Sequence, residues 1–426
     1  SVGSAESMRN VIKLIDNDEP KIVVLSAMSG TTNALTEIVN LLYKNDDSAI
    51  DKINQLEEKY YTVVKDLFNR DDFHLKGKQL IEEHFKYIQS FTQDAFTLFE
   101  EKSILAQGEL ISTALFQLLA EELGVESKLI SALNFMRTDK DSEPDQFYIK
   151  ENITRELAQF PSTNNFITQG YICRNSFGEI DNLKRGGSDY SASLIGVGVS
   201  ADEIQIWTDI DGMHNNDPRV VEGTYPLPNI SFDEAAELAY FGAKILHPSS
   251  VMPAKKENIP VRLKNTMDPE ALGTLIDAQN KGTGIKAIAA KDNITAIKIK
   301  SGRMLLAHGF LRRVFEIFET HKISIDMVTT SEVAVSVTID DNSALEKLKK
   351  DLTKYGTIEI DEGLSIVCVV GDFIAESKGY AQLVFKALEN IPIRMISYGG
   401  SRHNVSILIN TSDKKEALVS LNEKLF

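Results

Sequence analysis

Hydrophobic spacing along the chain switches between two periods. The run "KIVVLSAMSGTTNAL" opens as a buried strand over Ile22–Leu25, turns through serine and glycine, and continues as a helix from about Thr32. From Ser48 to Lys102 the spacing is helical and heavily charged, with Gly77 as the single glycine, which predicts two long helices packed on the outside. "GELISTALFQLLAEELG" is a further helix, closed by Gly124. Strand-like runs follow at "SKLI", "NFITQGYI", "GEIDNL" and "EIQIWTDI", alternating with helical stretches. That alternation is the pattern of an α/β sandwich with a mainly parallel sheet. "SFDEAAELAYFGAKILHP" opens on a capping box, Ser231 with Glu234, and Pro248 falls just beyond that helix. The opening "SVGSAES" reads as a turn.

After "LGTLI" the composition shifts in "DAQNKGTGIKAIAAKDN", which reads as a linker. Beyond it the chain repeats itself. "GFLRRVFEIFETHKISIDMVTTSEVAVSVTID" aligns with "GYAQLVFKALENIPIRMISYGGSRHNVSILIN", the helices at an offset of 70 and the strands at 72. With "ITAIKIKS" and "LSIVCVVG" supplying a strand before each copy, the tail is expected to be two β-α-β-β units, each followed by a helix. The expected division is residues 1–280 and 281–426.

At 426 residues the chain exceeds one core. A net charge of −16 argues against nucleic acid and anionic membranes as partners. Two distant cysteines, Cys173 and Cys368, suit a reducing compartment, and a cytoplasmic location is expected.

Polar clusters fall at strand-to-helix turns: "SAMSGTTNAL", "QGELIS", "RGGSDYSAS" and "WTDIDGMHNNDPRV". A fifth, "FGAKILHP", places Lys244 at the end of a helix. Ligands gather at such turns in parallel α/β sheets. "RGGSDYSAS" has two readings, a capped surface turn or an anion cradle built from glycine amides, a helix N-terminus and Arg185. Glu109 reads equally as a helix-start acid, Lys244 as a solvated lysine and Arg219 as a turn-edge ion pair. No Walker loop, "HExxH", "GxSxG" or clustered Cys/His set occurs, so no metal site is expected. The residues point to a phosphate-handling α/β enzyme.

The sequence closely resembles the aspartate kinases. "VVLSAMSGTTNAL", "GELIST", "ITQGYI", "RGGSDYSAS", "IQIWTDIDG", "DPRV", "FGAKILHPSSVMPA" and "SIDMVTTSE" occur in the family's order and span nearly the whole chain. The resemblance implies an amino-acid-kinase three-layer sandwich followed by tandem ACT domains of ferredoxin-like α+β fold. It implies phosphorylation of the L-aspartate side-chain carboxylate by ATP, the first step of lysine, threonine and methionine biosynthesis. Mg²⁺ would be held through the nucleotide phosphates. It places aspartate against Ser26, Thr32, Glu109, Tyr171, Arg185, Gly186 and Ser188, and ATP against Thr208, Asp209, His214, Arg219 and Lys244. Lys244 and Asp189 are the implied catalytic residues, Asp189 orienting the lysine; the acceptor carboxylate needs no base.

The tail most resembles the lysine-sensitive, monofunctional type. Met304, Gly309, Phe310, Leu311, Asp326, Thr330, Ser331 and Glu332 match the effector pocket, with L-lysine as inhibitor and ACT-mediated homodimers or higher oligomers expected. Three departures stand out. The family's opening strand ending in "KFGGT" is not in the sequence, which starts at "SVG", so a chain starting at Ser1 is expected to bind lysine with almost no kinase activity. Lys184 stands where glycine is usual, and His214 where an aromatic is common. The alternatives are an amino-acid kinase acting on glutamate and an inactive effector-binding protein.

Overall fold

The computed structural model describes residues 2–92, 96–183, 186–242, 246–279, 284–301, 308–372 and 378–426. By packing the chain divides into two units, Ser1–Gly212 with Leu246–Ala278, and Met213–Ile245 with Gln279–Phe426. The expected division at 280 follows the chain; Met213–Ile245 packs with the tail instead.

In the first unit, strand Lys21–Leu25 pairs in parallel with Asn165–Gln169, which pairs in parallel with Lys128–Leu129. Strand Ile204–Thr208 pairs in parallel with Val261–Asn265, and Thr274–Asp277 closes on the latter antiparallel. Neighbouring residues of the central strand face opposite cores, as a pleated strand requires. Ile167 packs with helices Thr31–Tyr43, Ser48–Leu67, Asp71–Ser90 and Gln107–Leu123. Phe166 packs with helices Gln146–Ala158 and Gly187–Gly198. Helix, sheet and helix therefore form three layers.

The two long helices lie on the outside as expected, each with one face on the core. Ile53, Tyr60, Ile81 and Phe85 are fully buried beside Ile38 and Leu115, because each helix keeps one apolar stripe beneath its charges. The start of the chain is more ordered than its composition suggests. Ser4 accepts the Ser7 amide at 3.2 Å and caps a helix over Ala5–Ile15. Leu98–Leu123 is apolar and long enough to cross a membrane, yet 78% of its most apolar window is buried in the fold, as in a core helix.

In the second unit the capping box forms as read, the Ser231 amide and hydroxyl both reaching Glu234 Oε2, at 2.8 and 2.9 Å. Its helix stops at Tyr240, and Pro248 starts a separate helix, Pro248–Glu257, in the first unit. The expected linker is largely strand: Gly284–Lys300 is continuous over 17 residues. Lys286, Lys291 and Lys300 fit because they have carboxylate partners; Lys286 Nζ lies 2.9 Å from the fully buried Glu234. The duplication is plain in the elements. Gly284–Lys300, Phe310–Thr320, Val328–Thr330, Ala334–Ile339 and Leu345–Leu352 are echoed by Thr357–Asp372, Tyr380–Ala387, Met395–Tyr398, Asn404–Asn410 and Lys414–Leu425. Gly309 and Gly379 begin the equivalent helices in the left-handed region, at φ 79° and 92°. The six strands form one sheet, and the copies meet where Gly284–Lys300 runs antiparallel to Thr357–Asp372.

Met213–Ile245 is tied to this unit by buried amides. Asn216 Nδ2 donates to the Leu418 carbonyl at 3.1 Å, and the Ile288 amide donates to the Asn215 carbonyl at 2.8 Å.

Candidate functional site

The parallel strands Lys21–Leu25 and Asn165–Gln169 end together, Leu25 opposite Gln169, and three helix starts lie beside those ends. Helix Thr31–Tyr43 begins at Gly30 (φ 77°) and helix Gly187–Gly198 at Gly186 (φ 77°); among the described residues no side chain caps either. Uncapped amides at the positive end of a helix dipole are a place for anions. Glu109 lies in the first turn of the third helix, Gln107–Leu123.

Glu109 is the electrostatic centre. Its residue is 4% exposed. Oε1 accepts the Ala27 amide at 3.3 Å, whereas Oε2 is buried without a hydrogen-bond partner among the described residues. Burial pushes its carboxyl up to about 7, against the Ala27 bond. An orphaned buried carboxylate oxygen is costly unless a cation arrives. Gly108 allows the close approach, since a Cβ there would lie 2.9 Å from Ala27 Cβ. Ser112 Oγ donates to the Ser26 carbonyl at 2.7 Å and fixes the turn that carries Ala27.

Tyr171 stands at φ 62°, unusual for a non-glycine. Its amide donates to Ser191 Oγ at 2.8 Å and its carbonyl accepts the Leu183 amide at 2.8 Å. Burial, then the charge of Glu109, push its phenol up to about 12. Ser188 and Asp189 occupy the first turn of helix Gly187–Gly198, and burial pushes the Asp189 carboxyl up to about 6. Ser26, Glu109, Tyr171, Gly186, Ser188 and Asp189 thus gather at the strand ends, with Thr32 exposed in the first turn of its helix. Arg185 and Lys184 lie outside the described residues, as do Lys244 and Met304.

Gly170 sets the width of this cradle. A Cβ at 170 would meet Ser188 Oγ at 2.3 Å and Ser188 Cα at 2.7 Å. Gly170→Ala is expected to drive the helix start away from the strand, costing about 1–3 kcal/mol of stability. Urea denaturation would check it; an unchanged midpoint would mean the contact is soft.

The other site residues divide between the units. Thr208 ends strand Ile204–Thr208; its carbonyl accepts Thr266 Oγ1 at 2.6 Å and the Thr266 amide at 2.8 Å, and Asp209 beside it is exposed. His214 and Arg219 fold with the tail. His214 Nδ1 lies 3.1 Å from Thr224 Oγ1. Arg219 forms the turn-edge pair, Nε and Nη2 on the two Asp217 oxygens at 2.9 and 2.8 Å.

In the second unit, Gly309 starts its helix, Phe310 packs into the core with Val314 and Phe318, and Leu311, Thr330, Ser331 and Glu332 are exposed. Asp326 is already partnered. Oδ1 accepts Lys291 Nζ at 2.8 Å and the Tyr240 hydroxyl at 3.1 Å, while Oδ2 is buried with no partner among the described residues. Burial raises the Asp326 carboxyl and Lys291 opposes that rise. Burial works against Lys291, but its bonds to Asp326 and Asp340 hold its ammonium above the usual value. Among the described residues no group of three or more His, Cys, Asp or Glu is placed to hold a metal.

The sequence reading missed Ser112, Gln169, Ser191 and Ser250. Gln169 bridges the Ala132 amide and Thr113 Oγ1, both at 2.8 Å. Ser250 Oγ, buried and unpartnered among the described residues, sits 2.7 Å from where a Gly186 Cβ would be. Position was the only available signal: all four lie inside the quoted motifs.

The amino acid kinase family matches residues 1–265, and an ACT domain matches residues 367–425. The chain is 32% identical over its full length to lysine-sensitive aspartokinase 3 of Escherichia coli, covering 97% of it. The crystal structure of E. coli aspartokinase III with aspartate and ADP is similar at TM-score 0.86 and 32% identity, covering 100% of this chain and 98% of that one. The same enzyme with lysine and aspartate gives 0.84 at 32% identity, covering 100% and 97%. The chain belongs to the amino acid kinase family, in its aspartokinase group.

Proposed function

We propose that the chain phosphorylates the side-chain carboxylate of L-aspartate with ATP and is inhibited by L-lysine. The observation that carries the first half is the buried Oε2 of Glu109, without a partner among the described residues, beside two helix starts that no described side chain caps. A zwitterionic dicarboxylate supplies what that site lacks: an ammonium for Glu109 and carboxylates for Arg185 and the amides after Gly186. Likeness to the aspartate and ADP complex of the E. coli enzyme supports the reading.

The aspartate carboxylate would attack the terminal phosphorus in line, and ADP leaves. Transfer needs positioning and charge neutralisation more than acid–base work. Lys244 would supply a cation, Asp189 is the other residue proposed for catalysis, and Thr208, Asp209, His214 and Arg219 are proposed to serve the nucleotide. Mg²⁺ would arrive on the phosphates and neutralise their charge. Asp326 would take the ammonium of lysine and the backbone at Gly309–Leu311 its carboxylate; likeness to the lysine and aspartate complex of the E. coli enzyme supports lysine as the effector.

Coupled ADP-release assays with aspartate and glutamate as acceptors, with and without lysine, test this. Turnover on aspartate that lysine suppresses is expected. Preference for glutamate, or indifference to lysine, would overturn the corresponding half.

A further inference from the structure

Asp326 shares its buried carboxylate with two groups whose positions bear on the kinase motifs. Its side chain is 2% exposed. Lys291 Nζ bridges Asp326 Oδ1 and Asp340 Oδ2, each at 2.8 Å, and lies 4.9 Å from the centre of the Tyr240 ring. The Tyr240 hydroxyl donates to the same Oδ1 at 3.1 Å. Lys291 sits where strand Gly284–Lys300 slips register against its neighbour, between Lys291 and Ile294. Such irregularities re-aim side chains.

Tyr240 ends its helix, and Gly242 follows at φ 118° against the same strand. A Cβ on Gly242 would lie 2.0 Å from the Ala290 carbonyl oxygen. Lys244 comes two residues later. All of these described residues belong to one unit.

We propose that Lys291 is an internal occupant of the effector's ammonium position on Asp326, and that its displacement acts through Tyr240 on the segment leading into Lys244. This rests on the reading that Asp326 takes the effector ammonium. Two ammonium groups repel across one small buried carboxylate, so an arriving amine and Lys291 compete for it. Lys291 has somewhere to go, since Asp340 is 40% exposed and holds its other side. When it leaves, Tyr240 loses the cation over its ring and shares its acceptor with a new donor. An effector acts only through such a difference in contacts between two states.

Four full-chain variants test this by isothermal calorimetry with L-lysine and by inhibition curves. Lys291→Met is expected to bind lysine about tenfold more tightly, within the usual range of coupling. Lys291→Arg, which keeps the charge with a wider grip, is expected to bind it more weakly and covers the case in which the methionine variant does not fold. Tyr240→Phe is expected to bind lysine within about threefold of the parent while its maximal inhibition falls by more than half. Asp326→Asn separates the two levels. If it binds lysine normally, the reading of Asp326 fails. If it loses lysine while Lys291 and Tyr240 variants bind and respond like the parent, the displacement proposal fails.

Discussion

The Glu109→Gln protein is expected to be more stable than its parent above pH 7 and to have lost most of its affinity for aspartate. Burial raises the Glu109 carboxyl from 4.5 to about 7 in the folded chain. The folded state therefore favours the protonated form, so this group's contribution is full below about pH 4.5 and is lost as pH rises through about 7. Over 2.5 units the loss is about 3 kcal/mol, an upper figure, and glutamine escapes it. Chemical denaturation across pH 4–8 would show the two proteins converging in acid and separating toward neutrality. The same charge that burdens the empty fold serves the substrate. Removing the partner of a desolvated ammonium costs about 2–5 kcal/mol of binding, so KM for aspartate is expected to rise steeply with little change in KM for ATP. In the parent, KM for aspartate is expected to climb as pH falls below about 7, when protonated Glu109 no longer answers the ammonium. Equal stability of the two proteins at pH 8 would sink the account of burial.

Arg185→Ala is expected to be as severe, through the opposite charge. Arg185 directly precedes Gly186, whose left-handed backbone starts the uncapped helix Gly187–Gly198. A guanidinium at that position can grip a carboxylate with two parallel hydrogen bonds while the helix amides take its remaining lone pairs. Truncation is expected to cost about 2–5 kcal/mol in aspartate binding, and lysine is too compact a cation to restore the paired grip. Initial rates over aspartate and ATP concentrations would show the loss confined to aspartate. A loss shared equally with ATP would move Arg185 to the nucleotide.

The fold was legible where local chemistry and packing agree. Ser231 with Glu234, Gly124, and the paired Gly309 and Gly379 each do what their spacing announces. Reading failed where tertiary partners override composition. Gly284–Asn293 looks like a linker because it holds lysine, aspartate and glycine, yet Glu234 and Asp326 neutralise its lysines and make a strand possible.

Within the candidate site, Glu109, Asp189 and Gly186 stand out in the sequence because their residue types are chemically expressive. Ser112, Ser191 and Gln169 do not, since a hydroxyl or amide that braces a backbone turn looks like any other in sequence. Nor could spacing show that His214 and Arg219 fold with the tail, or that Lys291 reaches Asp326.

Each copy of the tail repeat brings three strands to the shared sheet, and the longest strand of each is the one turned toward the other copy. A lone first copy would leave much of Gly284–Lys300 as an open row of amides and carbonyls, a template for indiscriminate pairing. The second copy has the same liability along Thr357–Asp372. The duplication is therefore locked: either half could drift far in its surface chemistry, but neither could be deleted or moved alone into another protein without becoming prone to aggregate. What began as repetition has become mutual chaperoning within one chain.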